Sequence, residues 1–136
     1  MTGIKYHKEK YMKLGKIIDT RFRTVVEKLA KQEIPLRTAF KMRGLTKRIN
    51  EEVEKYEATR QEGLQKHGEK DADGKLVVNP DNTVKFSQEG MQAFAAELND
   101  LTLTSIELDT LSVAELGTQL KITTEELTIL GELITE

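Results

Sequence analysis

The sequence predicts an α+β fold that is mainly α: a long antiparallel helical hairpin, then a small β-hairpin, then short C-terminal helices. Three observations carry this expectation. Two apolar stripes at helical spacing, Tyr11-Leu14-Ile18-Phe22-Val25-Leu29 and Met42-Leu45-Ile49-Val53-Tyr56, flank the pair Ile34-Pro35, where proline disfavours helix in the residue before it and suits the first turn of a new one. Two short runs rich in β-formers, Leu76-Val77-Val78 and Val84-Lys85-Phe86, enclose the turn-forming Asn79-Pro80-Asp81-Asn82-Thr83. Ser112-Val113-Ala114-Glu115 and Thr123-Thr124-Glu125-Glu126 both place a hydroxyl three residues before a carboxylate, the arrangement of a capping box at a helix start.

Taken in order, Met1 to His7 reads as a loose lead-in. The spacing predicts one helix from about Lys8 to Gln32 and a second from Leu36 to Gln65, joined by a connection too short for anything but an antiparallel turn. Gly15 and Gly44 fall inside these helices, where glycine costs about 1 kcal/mol relative to alanine, so each marks a close approach or a bend. Gly68 suits the left-handed cap after the second helix. Beyond the β-hairpin, Ser87 caps a short helix with Met91, Phe94, Ala95 and Leu98 on one face, stopped by Asn99-Asp100. The alternation from Leu101 and Leu103 to Ile106 and Leu108, with a slip of phase at Thr104-Ser105, predicts a bulged strand or two strands. A last helix carries Leu127, Leu130 and Ile134.

The 136 residues fit one domain, 1–136, with 38% hydrophobic and 32% charged residues. Its charge is divided. Residues 1–67 hold seventeen Lys and Arg against nine Asp and Glu, net +8, whereas residues 68–136 hold four against fourteen, net −10. A basic helical hairpin beside an acidic α+β region suggests docking of the two on one another or between subunits, then an external acidic protein, then nucleic acid. The absence of cysteine removes thiolate nucleophiles and thiolate metal sites, and fits a reducing compartment. No signal peptide and no membrane span is expected, which points to a soluble cytoplasmic protein that is neither secreted nor held in a membrane.

Sites of chemistry are not evident. Asp71-Ala72-Asp73-Gly74 has the alternating carboxylates of a calcium loop, but setting Gly74 at its sixth position puts Pro80 at the twelfth, where a bidentate carboxylate is required. A hydrated turn is expected instead. His7 and His67 would come together at one end of the hairpin, yet lack the further ligands of a metal centre. No phosphate loop, dinucleotide fingerprint, Gly-x-Ser-x-Gly or His-Glu-x-x-His occurs. The expectation is therefore a protein that is not an enzyme, with no cofactor, no metal and no small-molecule substrate. The candidate surface is the basic cluster Arg37, Lys41, Arg43, Lys47 and Arg48. Its charge is tempered by Glu51, Glu52 and Glu54, with Lys47–Glu51 and Arg48–Glu52 spaced for i,i+4 pairing.

The ordered series Ile34-Pro35-Leu36-x-Thr38-Ala39-Phe40-Lys41, Ile49-Asn50-Glu51-Glu52, Tyr56-Glu57-x-x-Arg60 and Gly68-x-x-Asp71-x-Asp73-Gly74, followed by Phe86, resembles small proteins of unknown function encoded by tailed bacteriophages. The likeness runs from about Leu29 onward, with Phe40 where those proteins often have tyrosine; it implies no site residue, and it implies a place in the host cytoplasm or the virion. Together these readings predict a protein–protein interaction protein that engages a host or phage protein through the helical hairpin or the acidic region. The alternatives are a virion or assembly component acting as a repeated subunit, in contact with copies of itself, and a nucleic-acid-binding accessory protein.

Overall fold

The structure, a computed structural model, describes residues 9–136, so His7 and the N-terminal lead-in lie outside the described residues. Mainly helical α+β architecture is found, and its organising element is a helix of 32 residues. Pro35 stands at the N-cap and the helix, α3, runs Leu36–His67. Before it, Asp19 ends one segment and begins another: its carboxylate accepts from the backbone N–H of Arg21 at 2.8 Å and so caps α2, Thr20–Ala30. Phe22, Val25, Val26 and Leu29 of α2 are buried against Met42, Leu45 and Ile49 of α3 in a common core, which makes α2 and α3 the expected hairpin.

The first arm is shorter than the helix expected from Lys8. Glu9–Lys13 is instead a strand, β1, leading into one helical turn, α1, Leu14–Ile17. Met12 points inward at 2% exposure while Tyr11 is 64% exposed. An apolar residue at every second position imitates a helical stripe when read with Leu14 and Ile18. What decides between them is a partner far along the chain: β1 pairs antiparallel with β2, Ser105–Asp109, in the register Glu9↔Asp109 through Lys13↔Ser105. The phase slip near Ser105 is accordingly a change from helix to strand and not a bulge.

The helix before that strand, α4, is Gln88–Thr102, capped by Ser87, whose hydroxyl accepts from Gly90 N at 3.0 Å. It runs past Asn99-Asp100, and Phe94 is its buried residue while Met91 stays half exposed. α4 covers the far half of α3. Their approach is close enough that a Cβ on Gly63 would stand 2.8 Å from Phe94 Cε1, and Phe94 in turn stacks on Phe86 with ring centroids 5.2 Å apart.

Between α3 and α4 the expected β-hairpin is reduced to two isolated antiparallel bridges, Lys70↔Leu76 and Val78↔Val84. Three backbone hydrogen bonds close them into a ring: Glu69 N–H donates to Lys85 O, Lys85 N–H to Val77 O, and Val77 N–H to Glu69 O. Strands cannot extend from such a three-way junction because each is already turning. Gly68 has extended φ −67° and ψ 151°, not the left-handed cap anticipated. Its lack of a side chain serves packing, since a Cβ there would lie 2.6 Å from Leu76 Cδ2 and 2.7 Å from Leu64 O.

The C-terminal region folds back over the hairpin. β3, Leu111–Ser112, leads into the single turn α5, Val113–Leu116, and α6, Thr124–Leu130, is followed by a 3₁₀ turn, Gly131–Leu133, and by β4, Ile134–Thr135, parallel to β3. Both capping boxes form with reciprocal hydrogen bonds, Ser112 with Glu115 and Thr123 with Glu126. Leu111, Leu130 and Leu133 are fully buried in the same cluster as Phe22 and Ile49. No helix is long and apolar enough to cross a membrane among the described residues.

The two helical glycines of the hairpin region test this packing. Around a Cβ on Gly44 there is nothing within 4 Å, so Gly44→Ala should stabilise by about 0.4–1 kcal/mol through the unfolded chain. Gly63→Ala should instead destabilise by about 1–3 kcal/mol by overpacking against Phe94. Urea denaturation of both variants checks the opposite signs.

Candidate interaction surface on the long helix

At about 100° per residue, Met42, Leu45, Ile49 and Glu52 share the inner side of α3, while Leu36, Phe40, Arg43, Lys47, Glu51, Glu54 and Ala58 share the opposite side. Exposure follows this division. Leu36 is 86% and Phe40 77% exposed, and the other five outward residues are exposed as well. A shallow cleft of about 550 Å³ runs along this flank between the end of α2 and α3, from Ala30 and Ala39 past Arg43 and Lys47 to Glu54.

The five cations of the candidate cluster separate into two groups. Lys41 Nζ lies 3.0 Å from Glu115 Oε1 on α5, beside Thr38, whose buried hydroxyl donates to Glu115 O. Arg48 Nη1 lies 2.8 Å from Glu52 Oε2. These two cations are structural. Arg37, Arg43 and Lys47 make no ion pair among the described residues, and the expected Lys47–Glu51 pair is not formed. The free cations therefore stand beside Leu36 and Phe40, which no argument from charge would select. Their phase could have found them, because Phe40 precedes Met42 by two residues, about 200° around the helix.

Glu52 is the other unusual group, a carboxylate only 3% exposed on the inner side of α3. Its Oε2 is approached by Arg48 at 2.8 Å and by Lys55 Nζ at 3.0 Å, without the alignment of a hydrogen bond. Both cations reach it from solvent, a snorkelling arrangement in which the stems cover the apolar edge and the heads neutralise the acid.

At the far end of α3, His67 Nε2 stands 3.0 Å from Glu97 Oε2 on α4, with Lys66 Nζ 3.3 Å from the same oxygen. His67, then Lys66, hold the Glu97 carboxyl below its ordinary value. Glu126 is likewise lowered, first by Lys28 Nζ at 2.8 Å and then by the Thr123 backbone N–H. For Glu115 burial pushes upward, but the Ser112 N–H and Lys41 outweigh it and the net shift is downward. Among the described residues no three His, Cys, Asp or Glu side chains are grouped so as to hold a metal ion. Asp71, the candidate calcium ligand, uses Oδ1 to accept from the N–H groups of Asp73 and Lys75 at 2.8 and 3.0 Å, as an Asx turn does.

Comparison with protein families, curated proteins and solved structures gives no match to this chain.

Two outcomes follow from these charges. Removing both counter-charges by Arg48→Ala with Lys55→Ala should destabilise by about 3–5 kcal/mol at neutral pH, because Glu52 is left buried and unpaired, whereas Glu52→Met should be neutral or stabilising, because Arg48 and Lys55 return to water. Chemical denaturation distinguishes the two. Carboxyls with lowered folded values contribute stability above the ordinary carboxylate range and lose it as pH falls through their folded values. The melting temperature should thus fall on acidification, and Glu97→Gln with Glu126→Gln should flatten that slope, read by thermal melts across the acid range.

Proposed function

We propose that this chain is a phage-encoded, non-enzymatic protein–protein interaction protein that presents the outward side of α3, from Leu36 to Lys47, to another protein. The observation that carries the reading is the pair Leu36 and Phe40, 86% and 77% exposed one helical turn apart. Water-facing large apolar side chains grouped with cations are the composition of a binding patch, and aromatic and Arg side chains are the residue types that dominate interface energetics. Phage origin rests on the residue series from Ile34 to Phe86. Nucleic acid is the weaker reading for this surface, because Glu51 and Glu54 continue it and would repel the same phosphate backbone one turn later.

Phe40→Ala should leave the fold unchanged by circular dichroism, since the ring is 77% exposed and not part of the core, and should weaken partner binding by about 2 kcal/mol if Phe40 is an anchor. A photoreactive benzophenone analogue in place of Phe40, with the exposed Glu89 on α4 as control position, should give a discrete cross-linked protein in infected cells at position 40 only. Equal or diffuse labelling at both positions would remove the outward side of α3 as the docking surface.

A further inference from the structure

We infer that the partner on the outward side of α3 is a second copy of this chain, docked antiparallel across a two-fold axis near residue 49. The inference rests on the interaction reading above and names its partner. The charges on that side are self-complementary about one point. Placing Lys47 opposite the other copy's Glu51 sets Phe40 opposite Ala58, brings Arg43 within one position of Glu54, and brings Arg37 within one position of Glu62 at the rim of the same face. Each of these pairs is centred on residue 49 to within half a residue. A two-fold interface requires this reciprocity, in which residue i meets j and j meets i.

Two further observations support a second copy over an unrelated acidic protein. The charged members of the set, Arg37, Arg43, Lys47, Glu51, Glu54 and Glu62, are all exposed and make no ion pair among the described residues. Two cations on the flank of the same helix, Arg48 and Lys41, are engaged at 2.8 and 3.0 Å. Lys47 and Glu51 are spaced for an ion pair within the helix and do not make it, which leaves both for a partner. An acidic partner would satisfy Arg37, Arg43 and Lys47 but would face Glu51, Glu54 and Glu62 with like charge. Only a surface that is acidic opposite the first half and basic opposite the second suits the whole side, and α3 reversed is such a surface. The contact is also long: from Leu36 to Glu62 the helix rises by about 40 Å at about 1.5 Å per residue. Phe40 then packs on the small Ala58, and the bare Gly44, with no atom within 4 Å of its absent Cβ, permits close approach of the second helix.

Sedimentation equilibrium of the purified full chain tests this. One variant, Arg43→Glu with Lys47→Glu, makes the middle of the side wholly acidic; the other, Glu51→Lys with Glu54→Lys, makes it wholly basic. All four positions are exposed, so circular dichroism should match the parent, and thermal melts should match it at concentrations too low for the parent to associate. The parent should dimerise, and each variant alone should associate on the order of tenfold or more weakly, since every central attraction has become a repulsion. An equimolar mixture should recover a heterodimer, at low salt more than at high. A parent that remains monomeric at high concentration, or variants that dimerise as the parent does, or a mixture that recovers nothing, would overturn the inference. The interaction reading fails separately. If the parent is monomeric yet the benzophenone at position 40 still joins one discrete foreign protein, the second copy is excluded and the docking surface stands; loss of both removes both.

Discussion

The 32-residue α3 is far longer than α2, its 11-residue partner in the hairpin, and the rest of the fold is arranged around that mismatch. Met42, Leu45 and Ile49 on the near half share one core with Phe22, Val25, Val26 and Leu29 of α2 and with Leu108, Leu130 and Leu133. The far half, at Gly63, is met by Phe94 of α4. The remaining elements are lids and the connections that bring lids into place. Burial of apolar area on both halves supplies the association, while the rim ion pairs Lys28–Glu126, Lys41–Glu115 and Lys66–Glu97 each join the basic segment to the acidic one. Exposed pairs of this type contribute roughly 0–1 kcal/mol apiece. Their role is to set which lid sits over which half.

What could be read from residues in order was whatever local chemistry decides. Ile34-Pro35 opens a helix by sterics within two residues, and Ser112, Thr123 and Ser87 cap by hydrogen bonds that span three. The inner stripe of α3 was legible because a long helix repeats its period often enough to be unambiguous. β1 was not, because Met12 and Leu14 alternate while Tyr11, Leu14 and Ile18 step by three and four, and the arbiter is a strand about a hundred residues away. The same distance hid the state of the cluster from Arg37 to Arg48. Residue type gave five cations; that Lys41 is engaged depends on Glu115, which the fold brings to it across 74 positions. Leu36 and Phe40 were readable in principle, as apolar residues out of phase with the stripe they precede.

The turn region from Glu69 to Phe86 shows how a motif can be spent on structure. Asp71 and Asp81 both use side-chain oxygens to bind N–H groups of their own turns, and Asn82 takes a positive φ of 70° that few residues tolerate. Polar residues at these points stabilise two reversals within a short span. The resulting knob packs through Leu76 and Val84 onto Gly68, and so fixes where α4 begins relative to the end of α3.

The closing of the core by Leu130 and Leu133 has a bearing on how the protein is made. Met12 and Leu133 belong to one cluster, and β1 has no strand to pair with until Asp109 has been synthesised. On a ribosome adding roughly 5–20 residues each second, the interval between completion of α3 and arrival of Leu133 lasts on the order of several seconds. During it the α2–α3 arm is basic, apolar on its inner side and without its lids. Such long-range closure also slows folding after release, because the loop must close before its contacts stabilise anything. The nascent arm is therefore the species most exposed to chaperones and to polyanions, and that exposure ends when the acidic segment that follows it docks.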